Sequence, residues 1–393
     1  MEGLVKMSIN RLLVLDEIGH SCFIFGARQV GKTWLLRKTI KSDLYIDLLS
    51  GKELVRYTRN PELLLAEIEA LDMENPVVVI DEVQKAHNLL DEVHRAIESD
   101  KRPIFILTGS SARKLKRNHA NMLGGRAITF QLFSLCFWEV QGNFCFEKFL
   151  KYGGLPNVFL ASSDEAKKNL LESYVHSYLK EEIYEESLTR NLPAFTRFLE
   201  LAGSENGNVI NYSTIAREVG VSSKAIKEYF TILEDTLLGF YLQPYYKSHR
   251  KRLIAHPKFY FNDTGIVFAL RKMLSLELVE GTLLYGESFE HFVILEVRKA
   301  IMYLREEINM YFFRTSDGVE VDLVLEKHGK LIPIEIKSSA NPTKPKGLVS
   351  FLRDHDIYKA FCVCRTPRVF KFDNVTFLPW QDFIAQIYNN QLF

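Results

Sequence analysis

The sequence predicts a multidomain α/β protein, and three stretches lead to this prediction. Near the N-terminus, a glycine-containing loop lies between a predicted strand and a predicted helix. In the middle of the chain, a glycine separates two short predicted helices, and in the last third charged residues alternate with apolar ones along predicted strands. Because 393 residues exceed one ordinary core, we expect two to three domains.

The composition is typical of a soluble globular protein, with 47% hydrophobic and 25% charged residues. The formal net charge is only +1, so a nucleic-acid-binding surface would have to be a local patch. Since no signal segment or membrane-length apolar run is found, we expect a cytoplasmic protein without a membrane partner. None of the five cysteines has metal-ligand spacing, and Cys362 and Cys364 alternate like core residues of a strand.

The loop near the N-terminus has the spacing of a phosphate-binding (Walker A) loop. It follows the apolar run 22–25 and opens an amphipathic segment at residue 34. Its glycines let backbone N–H groups point at a polyphosphate, Lys32 can reach the β- and γ-phosphates, and the Thr33 hydroxyl can bind Mg²⁺. We therefore expect the following residues to bind ATP: Gly26, Ala27, Arg28, Gln29, Val30, Gly31, Lys32, Thr33 and Trp34.

A second decisive stretch is the apolar run 76–80, which ends in two acids and has the composition of a buried parallel strand. Ligands of open α/β sheets bind at the carboxyl ends of such strands. This is a Walker B pattern, in which Asp81 holds Mg²⁺ and Glu82 orients or deprotonates the attacking water. The intact glutamate favours hydrolysis over binding alone, so Glu82 and Lys32 are the first catalytic candidates.

Two further catalytic candidates follow. The predicted strand 103–108 ends in polar residues, and both Thr108 and Ser110 are candidates for contact with the γ-phosphate or the water, with Thr108 preferred. Arg126 follows two glycines, and two interpretations stay open for it. It is either a γ-phosphate sensor or arginine finger for a neighbouring subunit, or a surface arginine.

The middle of the chain begins at a glycine-proline break, 152–156, which predicts a domain boundary. A long helix is predicted over 170–188, with the charged residues 180–182 on its solvated face. Residues 195–245 resemble a winged helix-turn-helix, with a first helix capped by Ser213 and a second by Ser222 or Ser223. If the second helix enters a DNA major groove, the residues near its start read the bases: Ser222, Ser223, Lys224 and Lys227.

The alternative is that these helices only pack and contact no DNA. The segment Tyr245–Arg252 mixes aromatic and basic residues, as surfaces that bind nucleic acid do. Its cations are Lys247, Arg250, Lys251 and Arg252.

The last third of the chain contains a second set of charged residues. A helix carrying Glu290 precedes strands that carry Asp322 and then the pair Glu335 and Lys337. Residues two apart on a strand share a face, so Glu335 and Lys337 point together. The three carboxylates are a possible nuclease site for one or two Mg²⁺ ions, with Lys337 positioning the water. The alternative is an ordinary half-exposed hairpin.

As a whole, the chain resembles prokaryotic AAA+-superfamily ATPases with a C-terminal DUF4143 domain. The resemblance covers nearly all of the chain and rests on these motifs: GARQVGKTWLL (26–36), VVVIDEVQK (77–85), ILTGSS (106–111), GGR (124–126), YGGLPNVF (152–159), FYFNDTGI (259–266), GESFEHFV (286–293) and GVEVDLVLEKHGKLIPIEIKSS (318–339). The family's ATP-site residues correspond to Gly31, Lys32, Thr33, Asp81 and Glu82, and its nuclease-like residues to Glu290, Asp322, Glu335 and Lys337. The proline usual after Arg126 is missing from residues 133–139.

The resemblance implies a P-loop (AAA+-like) parallel sheet, a winged helix-turn-helix and a restriction-endonuclease-like α/β domain. The predicted divisions are an ATPase domain (1–150), a helical connector (151–195), a winged helix-turn-helix (196–250) and a DUF4143, PD-(D/E)xK nuclease-like domain (251–393). The expected ligands are ATP and Mg²⁺, and the expected partner is DNA, with a protein partner or further copies of the chain as alternatives.

Three functions are therefore hypothesised. The first is an Mg²⁺-dependent ATPase whose nucleotide state controls DNA engagement by the two later domains. The second is a nucleotide-dependent protein-interaction switch without a nucleic-acid substrate, which would tolerate neutralisation of the basic segment. The third is an ATP-assisted DNA nuclease that loses cutting when Asp322 or Lys337 is replaced.

Overall fold

The computed structural model describes residues 9–15, 19–110, 123–178, 191–246, 256–315, 317–343 and 345–393. The chain divides into two compact units. The first contains the described residues up to Leu135 together with Ile232–Leu238, and the second contains Cys136–Thr231 and Gly239–Phe393. In the described residues, no helix has both the length and the apolar character needed to span a membrane.

The first unit is built on a five-stranded sheet in which every strand pair is parallel. The order across the sheet is β2-β3-β4-β1-β5. The strands are β1 (Cys22–Phe25), β2 (Leu44–Asp47), β3 (Val77–Asp81), β4 (Ile104–Gly109) and β5 (Ile128–Gln131). The helices are α1 (Lys32–Thr39), α2 (Gly51–Arg59), α3 (Leu63–Glu69) and α4 (Leu89–Ile97), with a 3-10 turn at Val83–Ala86.

The strands of this sheet include the apolar runs that were predicted to be strands. Residues such as Val78, Ile80 and Leu107 are completely buried and join one core with Leu64 and Val93 of the helices. Because β4 lies between β1 and β3, the loop after β1 and the acids after β3 face each other across the end of β4. Helix α2 is not evident from an apolar pattern, because its only buried residue is Tyr57.

The second unit contains an eight-stranded mixed sheet with the order β12-β13-β11-β10-β9-β8-β6-β7. The strands are β6 (Gly239–Pro244), β7 (Lys258–Phe261), β8 (Asn309–Arg314), β9 (Glu320–Lys327), β10 (Lys330–Ile336), β11 (Phe361–Cys364), β12 (Phe370–Phe372) and β13 (Val375–Pro379). The predicted strands that carry Asp322 and Glu335 are β9 and β10. Cys362 and Cys364 are buried in β11, as expected for core thiols.

The remaining helices are α5 (Phe137–Val140), α6 (Phe146–Tyr152), α7 (Pro156–Phe159), α8 (Asp164–Ser173), α9 (Leu192–Ser204), α10 (Tyr212–Val219), α11 (Ser223–Asp235), α12 (Thr264–Leu270), α13 (Leu283–Leu304), α14 (Lys346–Asp354) and α15 (Trp380–Tyr388). A 3-10 turn lies at Gln141–Asn143. Where one helix over 170–188 was predicted, α8 ends at Ser173 and a π turn follows at Tyr174–Tyr178. The rest of that prediction, with residues 180–182, lies outside the described residues.

The unit boundary at Leu135 differs from the predicted boundary at residue 150. Its physical reason is an aromatic cluster within the second unit. The Phe146 ring stacks on Trp380 at 5.2 Å, and the rings of Phe144 and Phe149 lie 6.3 Å and 5.9 Å from that of Phe292. The segment that leads up to the glycine-proline break is therefore part of the second unit's core.

Three helices, α9, α10 and α11, precede the antiparallel hairpin β6–β7 in the second half of the chain. Gly220, in the left-handed conformation with φ of 79°, ends α10. The side chain of Asn211, and not the predicted Ser213, caps the start of α10, whereas Ser222 accepts a hydrogen bond from the Ala225 N–H at the start of α11. Val209 forms an isolated antiparallel bridge with Lys258.

The hairpin is continuous with the large sheet, because β6 pairs in parallel with β8. The predicted boundary at 250/251 therefore falls inside one sheet. Tyr245, predicted to belong to a basic surface, packs in the core against Phe351 at 5.9 Å. The cations of that segment, 247–252, lie outside the described residues.

Asp263 joins two of the sequence motifs. Its Oδ2 accepts a hydrogen bond from the N–H of Gly154 at 2.8 Å, and its Oδ1 accepts one from Gly265 at 2.9 Å. Gly153 lies against the same carboxyl group with φ of 71° and ψ of −164°, a conformation essentially restricted to glycine. The motifs at 152–156 and 262–265 thus form one interlocked contact.

We expect Gly153→Ala to destabilise the second unit by about 2 kcal/mol or more, because the new Cβ would lie 2.6 Å from Asp263 Cγ in a strained conformation. Urea unfolding followed by tryptophan fluorescence measures the change. Gly142→Ala is the matched control, since nothing lies within 4 Å of its Cβ position. Equal midpoints for the two variants would contradict the interlock.

Candidate functional site

The loop after β1 requires its two glycines for different reasons. Gly31 has φ of 97°, which is left-handed, and Gln29 is left-handed as well, at 60°. Gly26 is needed for close approach, because a Cβ there would lie 2.5 Å from the carbonyl oxygen of Leu132. The Gly26 N–H also donates to the Gly109 carbonyl at 3.2 Å. The loop is thereby held against the ends of β4 and β5.

Lys32 lies over this loop and is almost completely buried. Its Nζ donates to the carbonyls of Gly26 at 2.8 Å and Ala27 at 3.4 Å. Glu82 Oε1 is also 3.4 Å from Nζ. The structure therefore brings the Walker A lysine and the second acid of the Walker B pattern into one ion pair.

The Asp81 carboxylate, fully buried, is the meeting point of the site. The hydroxyl of Thr33 donates to Oδ2 at 2.7 Å, and the hydroxyl of Thr108 bonds Oδ1. Tyr45 donates from β2 to Oδ2 at 3.0 Å. Tyr45 was not predicted from the sequence, because its proximity to Asp81 depends on the pairing of β2 with β3.

Glu82 follows Asp81 in a left-handed conformation, with φ of 62°. For a residue other than glycine or asparagine this conformation is uncommon, and such strain concentrates at functional sites. Its backbone N–H donates to Thr108 Oγ1 at 3.0 Å, so Thr108 connects the two acids.

Gln84 is a second residue that sequence analysis missed. Its amide nitrogen bonds the Glu82 carboxylate and donates to Ser110 Oγ at 3.1 Å. Its Oε1 is buried and has no hydrogen-bond partner. The only signal for Gln84 in the sequence is its position two residues after Glu82. Gln84 holds Glu82 in place and connects it with Ser110, the other polar candidate after β4.

The structure does not bring Arg126 to this group. Arg126 precedes β5 and forms an ion pair with Glu98, which follows the last residue of α4. Both residues lie where their chain enters a strand of the sheet, and the loop with Asp81 lies at the opposite, carboxyl edge. A role at the γ-phosphate of its own chain does not fit this position, whereas action on a neighbouring copy stays a prediction.

The other predicted loop residues differ in exposure. Ala27 and Val30 are buried, and Arg11 donates to the Val30 carbonyl at 2.7 Å. Arg28 is half-buried, and Trp34 is 42% exposed. The Lys38 ammonium lies 4.7 Å from the centre of the Trp34 ring.

In the second unit, Glu290, Asp322, Glu335 and Lys337 lie in one neighbourhood. Lys337 Nζ is 2.7 Å from Glu335 Oε1, and Asp322 Oδ2 accepts a hydrogen bond from the Ile336 N–H at 2.7 Å. The Tyr260 hydroxyl donates a hydrogen bond to Glu290 Oε1 at 2.8 Å. Lys258 from β7 lies 3.6 Å from Glu290 and 2.5 Å from Glu320. Neither Lys258 nor Tyr260 was predicted from the sequence to belong to this cluster.

Burial raises the pKa of Asp322 well above its ordinary range, and the carboxylates of Glu290 and Glu335 raise it further. Burial also raises the pKa of Glu335, although Lys337 opposes that shift. Burial lowers the pKa of Lys258, but Glu290 and Glu320 outweigh it and raise the pKa above its ordinary value. Lys258 is therefore a charged ammonium inside this cluster.

Three family models match consecutive parts of the chain. An AAA domain matches residues 19–141, a domain of unknown function, DUF8612, matches 144–277, and another domain of unknown function, DUF4143, matches 285–383. The AAA match contains the whole site around Asp81. The chain therefore combines an AAA domain with a C-terminal DUF4143 domain.

Curated relatives of this AAA–DUF4143 protein include uncharacterized proteins of Mycobacterium tuberculosis and Methanocaldococcus jannaschii. The first is 27% identical, over 84% of this chain and 73% of its own length. The second is 25% identical, over 83% of this chain and 77% of its own. A solved Walker-type ATPase of Pyrococcus abyssi is 17% identical over 64% of this chain and 90% of its own, with a TM-score of 0.43.

The AAA site contains the donors that a nucleotide with Mg²⁺ requires. Thr33 and Asp81 present oxygen ligands 2.7 Å apart, next to the almost completely buried ammonium of Lys32. The predicted three-carboxylate metal site of the AAA–DUF4143 protein does not fit equally well. In the described residues, no group of three His, Cys, Asp or Glu side chains is placed to hold a metal ion. Glu290 is instead bonded to Lys258 and Tyr260.

Near the start of α11, Ser222, Lys224 and Lys227 are exposed, and Ser223 is half-buried. The Lys227 ammonium lies 5.1 Å from the centre of the Tyr212 ring. Glu228 is exposed beside them. The predicted base-reading residues thus share one accessible helix start, with one acid nearby.

We expect Gly26→Ala to weaken ATP binding at least tenfold, because the Cβ would displace the loop from Leu132 O and from Val30, whose Cγ2 would be 2.9 Å away. Titration of the nucleotide by calorimetry measures the affinity. Gly19→Ala is the matched control, since its Cβ would meet nothing within 4 Å. If both variants bind ATP like the parent protein, the loop does not hold the phosphates.

Proposed function

We propose that this protein is an Mg²⁺-dependent ATPase whose nucleotide state controls DNA engagement by its second unit. The observation that carries the ATPase part is the convergence of Thr33 and Thr108 on Asp81, next to the pair Lys32–Glu82. A phosphate loop, a metal-binding acid and a second acid for water are the parts that NTP hydrolysis needs.

Each residue has a distinct role in this proposal. Lys32 binds the β- and γ-phosphates, and Thr33 and Asp81 hold Mg²⁺, which neutralises phosphate charge when bound. Glu82 orients the water and accepts its proton. Thr108 keeps the two acids in register, since its hydroxyl contacts Asp81 and the Glu82 N–H. Gln84 restrains the Glu82 carboxylate.

DNA engagement is supported by the second half of the chain. The order α9, Val209 bridge, α10, α11 and hairpin β6–β7 is the element order of a winged helix. The start of α11 is exposed and carries Lys224 and Lys227, as a helix that enters a major groove requires.

The protein-interaction switch remains the rival hypothesis, favoured by the exposed Glu228, which weakens the positive field of α11. An ATP-assisted nuclease has less support, because Lys258 and Tyr260 already bond Glu290.

We expect Glu82→Gln to lower ATP turnover at least 100-fold while ATP binding persists, because it removes a general base and keeps the shape. Turnover of the full chain is measured with and without duplex DNA, and we expect DNA to raise it. Turnover unchanged by Glu82→Gln would overturn the assignment of the water-orienting acid.

We expect Lys224→Ala/Lys227→Ala to weaken DNA binding and to lower the slope of log affinity against log salt by about 2, one for each lost phosphate contact. Lys52→Ala/Lys371→Ala is the matched control, since both lysines are exposed elsewhere on the chain. If neither pair changes DNA binding and turnover ignores DNA, the interaction switch is the better hypothesis.

A further inference from the structure

The cluster in the second unit contains a cation of its own. The side chain of Lys258 is only 4% exposed, and its Nζ lies between Glu290 Oε1 at 3.6 Å and Glu320 Oε1 at 2.5 Å. An ammonium group is rarely buried unless charged and polar groups surround it. The burial of the Lys258 ammonium thus depends on these two carboxylates.

Glu290 Oε1 already has both a hydrogen-bond donor and a cation as partners. This atom accepts the hydroxyl hydrogen bond of Tyr260 at 2.8 Å and faces the Lys258 ammonium. Lys258 and Tyr260 are two residues apart on β7, so they share one face of the strand. One strand therefore supplies both partners of the carboxylate that α13 contributes.

The other half of the cluster is arranged differently. Glu335 is 6% exposed, and its Oε1 pairs with Lys337 while its Oε2 is buried without a hydrogen-bond partner. Asp322 accepts a backbone hydrogen bond and has no cation within ion-pairing distance among the contacts of the described residues. The carboxyl groups without a full set of hydrogen-bond partners thus are Asp322 on β9 and Glu335 on β10, and neither forms an ion pair with Lys258 in the described residues.

We propose that the Lys258 ammonium takes the place of a divalent metal ion at the Glu290 end of this cluster, so that Glu290 is a counter-ion of Lys258 and not a metal ligand. A divalent ion at Glu290 Oε1 would meet the ammonium at close range in a buried setting, where like charges repel strongly. The inference is independent of ATP hydrolysis and of DNA binding.

The test is Mn²⁺ binding to the nucleotide-free full chain, followed by electron paramagnetic resonance and calorimetry. We expect Glu290→Gln to bind Mn²⁺ as the parent protein does. We expect Lys258→Met to bind one additional Mn²⁺ per chain or to bind it at least tenfold more tightly, and the double variant to lose that gain. The site around Thr33 and Asp81 is unchanged in all these proteins and contributes equally.

Lys327→Met is the matched control, since Lys327 pairs with Glu306 at 2.6 Å in the same sheet, and we expect no gain of Mn²⁺. Melting curves with and without Mn²⁺ show whether Lys258→Met is folded, and a metal ion that replaces the ammonium must raise its melting temperature more than that of the parent. Tenfold weaker Mn²⁺ binding in Glu290→Gln would overturn the proposal, even if Lys258→Met did not fold. A folded Lys258→Met without the gain would overturn it too.

Discussion

The first unit depends on one buried carboxylate, that of Asp81. A charge with no exposure to solvent is stable only when hydrogen bonds replace its hydration, and here hydroxyl groups from α1, β4 and β2 provide them. These bonds connect β3 with β2, with β4 and with the start of α1, which directly follows the phosphate loop. The geometry of the candidate site and the stability of the sheet are consequences of the same contacts.

In the second unit, one sheet connects the three-helix segment with the carboxylate cluster. The hairpin β6–β7 completes the three-helix segment and also forms the edge of the eight-stranded sheet. Lys258 begins β7, pairs with Val209 through the backbone, and reaches Glu290 and Glu320 with its side chain. The helical segment and the carboxylate cluster therefore share a strand, and neither is an independent domain.

The sequence could predict the parts of the site whose functional residues lie next to one another in the chain. The loop 26–33 and the acids 81–82 carry their own spacing, and the position of Thr108 follows from the strand that contains it. Tyr45 was missed because its role requires that β2 pair with β3. The edge of the sheet at which Arg126 lies was not predicted either, since it depends on the direction of β5 in the sheet. The start of the second unit at Cys136 depends on aromatic contacts with Trp380, more than 200 residues away. The DUF4143 carboxylates were found by their spacing, but Lys258 lies outside that spacing.

The composition of the first unit has a consequence for synthesis of the chain. Its core is covered in part by Leu237, from the stretch Ile232–Leu238, which lies roughly 100 residues beyond Leu135. Ribosomes add about 5–20 residues each second. The segment Ile232–Leu238 is therefore synthesised several seconds after the rest of the first unit. During that interval the side of the core that Leu237 covers is open, and this is the time at which a chaperone could act on the nascent protein.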